Sequence, residues 1–185
     1  YLAKQGHSVT VFEALPVAGG MMRVGIPDYR LPPEKLDAEI DEIKAVGVDI
    51  KLNTKVDSLN ELLKQSYNAI FVAPGAHKGL KLGVKGEESP GVVDGATFLR
   101  EVKLGKAINL GEKVAVIGGG NVAIDAARTA LRLGAKKVCI VYRRTRAEMP
   151  ASPEEVEGAL EEGIEILYLA APVKIDPEAG KLKMT

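Results

Sequence analysis

Three consecutive glycines interrupt the segment KVAVIGGGNVAIDAARTA, residues 113–130, between an apolar run and an alanine-rich run. Ordering glycine costs backbone entropy, so three in a row indicate a main chain that approaches a partner closely. The spacing Gly118-x-Gly120-x-x-Ala123, between a predicted strand and a predicted helix, is the setting of the dinucleotide fingerprint. In that fingerprint Gly118 permits the tight turn, and Gly120 has no side chain to hold a pyrophosphate away.

The helix that follows the glycines would complete such a site. Its first amides, at Asn121 and Val122, would donate to the pyrophosphate, and the positive end of the helix dipole favours an anion there. Small residues at Ala127, Ala130 and Gly134 let this helix lie close to a sheet. These features predict a bound dinucleotide, and a purely structural turn is the alternative.

The end of the next predicted strand indicates which dinucleotide is bound. An NAD site usually places an acidic residue there for the ribose 2′-hydroxyl, but no acid occurs between Lys136 and Glu148. The run instead holds Arg143 and Arg144, whose guanidinium groups match the oxygens of a 2′-phosphate. The residues therefore favour NADP(H). A solvated basic loop is the alternative, and a nucleic-acid patch is disfavoured because only Tyr142 could stack on a base.

Composition and charge exclude several classes of protein. Among 185 residues, 25 basic side chains balance 25 acidic ones, so no net charge favours a nucleic acid or a membrane surface. No apolar run approaches the ~18 residues of a membrane span, and residues 1–6 lack the pattern of a signal peptide. A single cysteine, Cys139, cannot form a disulfide framework or a metal cluster and fits a reducing cytosol. We predict no metal site and no catalytic side chain.

Strand and helix patterns alternate along the chain, which predicts an α/β fold with parallel sheets covered by helices on both faces. The predicted strands are continuous apolar runs, which is typical of buried parallel strands. Ser152 and Glu155 predict a capping box at the start of one helix. The predicted strands are 8–12, 48–52, 69–73, 113–117, 137–142 and 164–169, and the predicted helices are 33–46, 59–65, 95–104, 121–133 and 153–162.

The stretch GGGNVAIDAARTALRLGA and the later stretch VYRRTRAEMPA resemble the pyridine-nucleotide half of the glutamate synthase small (beta) subunit family. GHSVTVFEALPVAGGMMRVGIPDYRLP resembles the FAD segment of that family, and NAIFVAPGAHK resembles its second glycine signature, with departures at Val24 and Pro74. The likeness covers nearly the whole chain. It implies two Rossmann-like dinucleotide-binding domains, both incomplete here: an FAD-binding domain over 1–101 and an NADP(H)-binding domain over 102–185.

The resemblance also implies FAD contacts at individual residues. Glu13 would accept hydrogen bonds from the FAD ribose hydroxyls, and Gly20 would let the loop pass the flavin pyrophosphate. Val56 would present its backbone to the adenine, and Gly75 would lie close to the cofactor. Without the resemblance, the residues favour a surface acid, a turn, a core residue and a strand end, respectively. The two arginines named above map onto the family's 2′-phosphate contacts.

In this family the FAD domain has its own glycine loop before the part that matches Tyr1, and the domain resumes beyond Thr185. The family's iron–sulfur clusters lie in a separate cysteine-rich segment. The resemblance implies hydride exchange between NADP(H) and FAD, with electrons passed to an iron–sulfur centre or a partner, such as a glutamate synthase large subunit or a ferredoxin-type centre. Two alternatives stay open: a non-catalytic fragment that binds a nucleotide or a partner, and a flavin-free NADP-dependent dehydrogenase.

Overall fold

A computed structural model describes residues 1–178 and 181–185 and shows a mixed α/β fold with parallel sheets, as the sequence predicted. Single 3-10 turns occur at Ala3–Gln5 and Arg146–Glu148. The helices are α1 (Gly20–Val24), α2 (Pro33–Ala45), α3 (Leu59–Lys64), α4 (Gly95–Lys103), α5 (Asn121–Arg132) and α6 (Pro153–Glu161). The strands are β1 (Val9–Phe12), β2 (Val48–Lys51), β3 (Lys113–Ile117), β4 (Lys137–Tyr142), β5 (Glu165–Tyr168), β6 (Ile175–Glu178) and β7 (Lys181–Met184).

The chain forms two compact units, Tyr1–Ala76 and His77–Thr185. The sequence predicted a domain boundary at residue 101, whereas α4 spans that position and packs on α5 within the second unit. Its apolar face explains the difference, because Phe98 and Leu99 are buried in the core of the second unit. The assignment of one cofactor to each unit stays a prediction.

A pair of parallel strands organises the first unit. β1 pairs with β2 over four residue pairs, and α2 packs on β2. Helix α2 begins with Pro33, whose fixed φ suits a first helical position, and it buries Leu36 and Ile40. Ile43, predicted on the same face, is 48% exposed. The apolar stripe of α2 is therefore narrower than the sequence pattern indicated.

The predicted strand 69–73 is not formed, so this prediction was wrong. The segment has no regular secondary structure, and the side chains of Phe71 and Val72 are 89% and 59% exposed. An apolar, β-branched sequence favours a strand only where a neighbouring strand satisfies its backbone hydrogen bonds. Among the described residues, no strand pairs with this segment.

Three parallel strands in the order β3-β4-β5 form the sheet of the second unit. This order is that of one half of a doubly wound sheet. The pairs Ile117↔Val141 and Tyr142↔Tyr168 bring the carboxyl ends of the strands to one edge. Helix α5 packs on β3 and β4. Of its predicted small-residue face, the alanines at 123, 127 and 130 are buried, whereas Gly134 lies after the helix and is exposed. The loop after β3 and the loop after β4 therefore lie next to each other.

The core of the second unit combines side chains from this sheet and from α4, α5 and α6. Ile124 and Ile140 have no exposed surface, and Leu99 is 2% exposed. Complete burial of an aliphatic side chain of this size contributes roughly 1.5–3 kcal/mol. The helix α5, which follows the glycine loop, and the neighbouring strand β4 are thus fixed by packing.

Four charged side chains join α5 to α6. Arg128 donates from Nη1 to Glu155 Oε2 and from Nη2 to Glu162 Oε1, each at 2.7 Å, and Arg132 donates to both carboxylate oxygens of Glu162, also at 2.7 Å. Gly158 leaves room for this arrangement, because a Cβ there would lie 3.3 Å from Arg128 Nη2. Hydrogen bonds from Arg132 and Arg128 lower the pKa of Glu162 from 4.5 to about 2.

The start of α6 differs from the predicted capping box. Ser152 does cap the helix, since its hydroxyl accepts the N–H of Glu155 at 3.3 Å. The Glu155 carboxylate binds Arg128 rather than the Ser152 amide. That amide donates instead to Oδ1 of Asn121 at 3.1 Å. Only one of the two hydrogen bonds of the predicted capping box is formed. The second is absent because the Glu155 carboxylate pairs with Arg128 and the Ser152 amide donates to the side chain of Asn121.

The antiparallel hairpin of β6 and β7 was not predicted from the sequence. Charged residues dominate these strands, and Pro177 in β6 cannot donate to a ladder, which is tolerated only at an edge or a bulge. Ile175 is the buried exception, and its amide donates to the carbonyl oxygen of Lys85 at 2.8 Å. Because β6 buries only one residue, its sequence contains no apolar run by which a strand could have been predicted.

Candidate dinucleotide-binding site

Gly118 makes the turn at the end of β3. Its φ is +140°, a conformation that residues with a side chain rarely adopt. Its N–H donates to the carbonyl oxygen of Val141 at 3.0 Å and extends the pairing of β3 with β4 by one bond. The conformation of the backbone therefore accounts for glycine at 118 without any ligand.

The ring of Tyr142 packs so closely on residue 119 that only glycine fits there. A Cβ built on Gly119 would lie 2.5 Å from Cδ2 of the Tyr142 ring, well inside van der Waals contact. The ring is 8% exposed, and its hydroxyl donates to the carbonyl oxygen of Glu148 at 2.7 Å, so it has no free space to move into. Packing explains the second glycine, and sequence analysis missed this role because the two residues are far apart in the chain.

At Gly120, neither a positive φ nor packing against a neighbour explains the glycine. Its φ of −91° and ψ of 172° are ordinary extended backbone, open to every residue type. A Cβ there would meet only Cγ of Pro150, at an unstrained 3.8 Å. Neither the backbone conformation nor a neighbour among the described residues requires glycine at 120.

Helix α5 begins directly after this glycine. Among the described residues, no side chain caps the helix, so the amides of Asn121 and Val122 can donate to a ligand. The side chain of Asn121 points to α6 and accepts the Ser152 amide, while Val122 is 49% exposed. The 12-residue helix adds the positive end of its dipole to this anion-binding arrangement.

Arg143 and Arg144 follow β4 at the same edge of the sheet, and both are exposed. Within the described part of the chain, neither guanidinium group takes part in a hydrogen bond or an ion pair. Arg146, two residues further on, is already engaged, because its Nη2 donates to Glu157 at 2.6 Å. This hydrogen bond to the Glu157 carboxylate raises the pKa of Arg146. Of the three arginines, the first two are therefore available to an anion.

Glu148 is the first acid after β4, and its carboxylate is engaged within its own turn. Its Oε2 accepts both the N–H and the hydroxyl of Thr145, each at 3.1 Å, in a reciprocal cap of the 3-10 turn. These hydrogen bonds lower the pKa of Glu148, with a smaller contribution from the charge of Arg144. The pattern Thr-x-x-Glu is a capping-box signature, so the sequence could have predicted this turn.

The four remaining predicted site residues all lie in the first unit. Glu13 follows β1, where its amide donates to the Lys51 carbonyl oxygen at 2.9 Å and its Oε1 accepts the Leu15 amide at 2.8 Å. Gly20 begins α1 with a φ of +55°, and a Cβ there would meet no atom within 4 Å. Val56 is half-buried, and Gly75 has a φ of +74° in the exposed segment before His77.

The described residues contain no group of histidine, cysteine, aspartate and glutamate side chains that could hold a metal ion. No helix among them is long and apolar enough to cross a membrane. Cys139 is half-buried in β4, and its Sγ donates to the carbonyl oxygen of the next residue at 3.7 Å. One cysteine cannot form a redox pair within these residues.

Residues 1–185 match the family described as pyridine nucleotide-disulphide oxidoreductase, and the chain belongs to that family. The NADP(+)-dependent formate dehydrogenase subunit beta of Moorella thermoacetica is 50% identical over 187 aligned positions, which cover 98% of this chain and 26% of that protein. The glutamate synthase [NADPH] small chain of Escherichia coli is 33% identical over 189 aligned positions, which cover 95% of this chain and 40% of that protein. The resemblance stated from the sequence is thereby confirmed.

Among solved structures, Mycobacterium tuberculosis FprA in complex with NADPH is similar in fold, with a TM-score of 0.73 at 17% identity, over 96% of this chain and 60% of FprA. At that level of identity the likeness supports the fold alone. The chain spans between about a quarter and two fifths of the length of the two relatives named above.

Proposed function

We propose that this chain is the NADP(H)- and FAD-binding core of an NADPH-dependent FAD oxidoreductase, in which a hydride is exchanged between the two cofactors. The observation that carries the proposal is Gly120, whose glycine is required neither by its backbone conformation nor by its neighbours. It lies at the uncapped start of α5, beside two unpaired arginines. This combination of an open approach, free amides and free guanidinium groups fits a dinucleotide that carries a 2′-phosphate.

The second unit would hold NADP(H). Gly118 and Gly120 would shape the loop around the pyrophosphate, and the amides of Asn121 and Val122 would donate to it. Arg143 and Arg144 would donate to the 2′-phosphate, where a charge-assisted contact contributes about 1.5–3 kcal/mol. Most of this unit falls in the range 102–185, which we assign to the NADP(H) domain. The NADP(+)- and NADPH-linked names of the relatives agree with this cofactor.

The first unit would hold part of FAD. The second carboxylate oxygen of Glu13 is available to a ribose hydroxyl, and Gly20 leaves open space where a loop could pass a pyrophosphate. Val56 and Gly75 would contribute backbone contacts to the same cofactor. The described residues of this unit include no strand, glycine loop and long helix in sequence, so the loop at Gly20 would supply only part of the contacts to the FAD pyrophosphate. The range that the sequence assigns to this partial FAD domain, 1–101, includes this unit and extends beyond it into the second unit.

The cofactors supply the redox chemistry: nicotinamide delivers two electrons as a hydride, and flavin can pass electrons on singly. The residues of this chain bind and orient, and we assign no catalytic side chain and no metal. The relatives are described as subunits or small chains, which supports transfer to a partner subunit or an iron–sulfur centre outside this chain. Neither a nucleic acid nor a membrane is proposed as partner, and we place the protein in the cytoplasm.

The test is steady-state kinetics of the full-length protein with NADPH, NADH and an artificial electron acceptor, beside its visible absorption spectrum. We expect a flavin spectrum and a strong preference for NADPH. Arg143→Ala should raise the Michaelis constant for NADPH about 10- to 150-fold, the value of one charge-assisted contact, and change that for NADH little. Equal use of both nucleotides by the wild type, or equal losses in the variant, would refute the 2′-phosphate assignment. A colourless, inactive full-length protein would favour the non-catalytic alternative.

A further inference from the structure

One exposed side chain lies directly against the third glycine of the loop. Apart from residues adjacent in the chain, the only described atom within 4 Å of a Cβ built on Gly120 is Cγ of Pro150, at 3.8 Å. We propose that the Pro150 ring is one wall of the dinucleotide site, where it packs against the ribose next to the pyrophosphate and contributes equally to the binding of NADPH and NADH. This inference rests on the proposed function, because it concerns the same nucleotide site.

The chain holds this ring in place from both sides. Before the ring, the carbonyl oxygen of Glu148 accepts the hydroxyl of Tyr142 at 2.7 Å. After the ring, the amide of Ala151 donates to the carbonyl oxygen of Gly119 at 3.1 Å. Proline also fixes its own φ, so this segment has little conformational freedom to lose when a ligand binds. The wall is therefore formed before a ligand arrives.

The position of the ring indicates what it would contact. A ligand that requires glycine at 120 must occupy the space that a side chain there would fill, and the exposed ring of Pro150 borders that space. The amides at the start of α5 would take the phosphate oxygens, whereas the ring offers only carbon atoms and suits the carbon face of the adjoining ribose. NADPH and NADH share this ribose and this pyrophosphate and differ at the 2′-phosphate. The ring should therefore affect affinity without affecting cofactor preference, unlike Arg143.

The experiment is calorimetric titration of the full-length protein with NADPH and with NADH, beside steady-state kinetics and urea unfolding. Pro150→Ala removes two ring carbons, and Pro150→Val restores apolar bulk without the fixed φ. Pro153→Ala is the matched control, because Pro153 is an exposed proline three residues further on that begins α6. Both alanine variants lose the restriction that proline places on the unfolded chain, so they should unfold at similar urea concentrations.

We expect Pro150→Ala to raise the dissociation constants of both nucleotides by the same factor, about 3- to 10-fold, because two ring carbons that the ligand partly buries are lost. The preference for NADPH and the kcat should not change. Pro150→Val should bind nearly as tightly as the wild type, and Pro153→Ala should bind as the wild type does.

Wild-type affinity in Pro150→Ala would overturn the proposed wall, and so would a change in its preference for NADPH. An equal loss of affinity in Pro150→Val would also overturn it, since the stiffness of the chain rather than contact with the ring would then explain the effect. A wild type that binds neither nucleotide would instead overturn the proposed function, so the two failures are distinguishable.

Discussion

Adding one methyl group at Gly119 or at Gly120 should separate folding from binding, although the two residues are neighbours. A Cβ at 119 would enter the ring of Tyr142, whereas a Cβ at 120 would lie 3.8 Å from its nearest neighbour, Pro150. The pair Gly119→Ala and Gly120→Ala therefore tests whether the third glycine serves a ligand. If the glycines served only a structural turn, both substitutions would lower the free energy of unfolding.

The magnitudes follow from these distances. Gly119→Ala overpacks a buried contact, which typically costs about 1–3 kcal/mol of the free energy of unfolding. Gly120→Ala places its side chain in open space with an ordinary φ, so stability should change by less than ~1 kcal/mol. Alanine restricts the unfolded chain but is a poorer N-cap than glycine, so the two effects oppose each other. The same methyl would hold a pyrophosphate away from the amides of Asn121 and Val122. Loss of one charge-assisted contact weakens binding about 10- to 150-fold.

The assays are urea unfolding followed by circular dichroism and calorimetric titration with NADPH, on wild type and both variants. Gly120→Ala should unfold at the wild-type denaturant concentration and lose affinity for NADPH. Gly119→Ala should unfold at a lower concentration. Wild-type affinity in a folded Gly120→Ala protein would show that no ligand approaches this position closely, and the dinucleotide site would have to lie elsewhere.

Two further results are expected. Because the folded-state pKa of Glu162 is about 2 and its ordinary value is 4.5, its stabilising effect is complete above pH 4.5 and is lost as the pH falls toward 2. Glu162→Gln should therefore lower the free energy of unfolding by about 1–3 kcal/mol at pH 7 and by almost nothing near pH 2. Glu161→Gln, a change at an exposed neighbour, serves as the control. Equal losses at both pH values would show that ionised Glu162 does not stabilise the fold through the two arginines. A polypeptide of residues 1–185 should retain far less than one flavin per chain, since the described residues of its first unit include no strand, glycine loop and long helix in sequence to bind the FAD pyrophosphate. Near-stoichiometric flavin after extraction would disprove this.

The part of the fold that surrounds the glycine loop was predictable because its signals are local. The strands and helix between 113 and 142 match the predicted ranges within one residue, since apolar runs and small-residue spacing depend only on neighbours in the sequence. The strand predicted at 69–73 failed for the opposite reason. Its residue types favour extended backbone, but a strand also needs a partner, and the sequence does not say where partners lie.

In the candidate site, too, some residues could be predicted from local sequence signals and some contacts could not. The sequence indicated Gly118, Gly120 and the two arginines from spacing and charge alone. It could not indicate that Tyr142 packs on Gly119, because that contact depends on the register of β3 and β4. The hydrogen-bond partners of Ser152 and Glu155 could not be predicted for a similar reason. A capping box is a local signal, but Asn121 and Arg128 are distant in the sequence and come near only in the folded unit.

Two amides from the segment before α6 hold the glycine loop in place: that of Ala151 donates to the carbonyl oxygen of Gly119 at 3.1 Å, and that of Ser152 donates to Asn121. Fixing a residue's backbone costs about 1–2 kcal/mol, and here that ordering occurs when the chain folds rather than when a ligand arrives. The conformation of the loop would therefore be the same whichever adenosine is attached to a bound pyrophosphate. A change from one nicotinamide cofactor to the other would then require substitutions after β4, at residues 143 and 144, and none in the glycine loop or in the two segments that hold it.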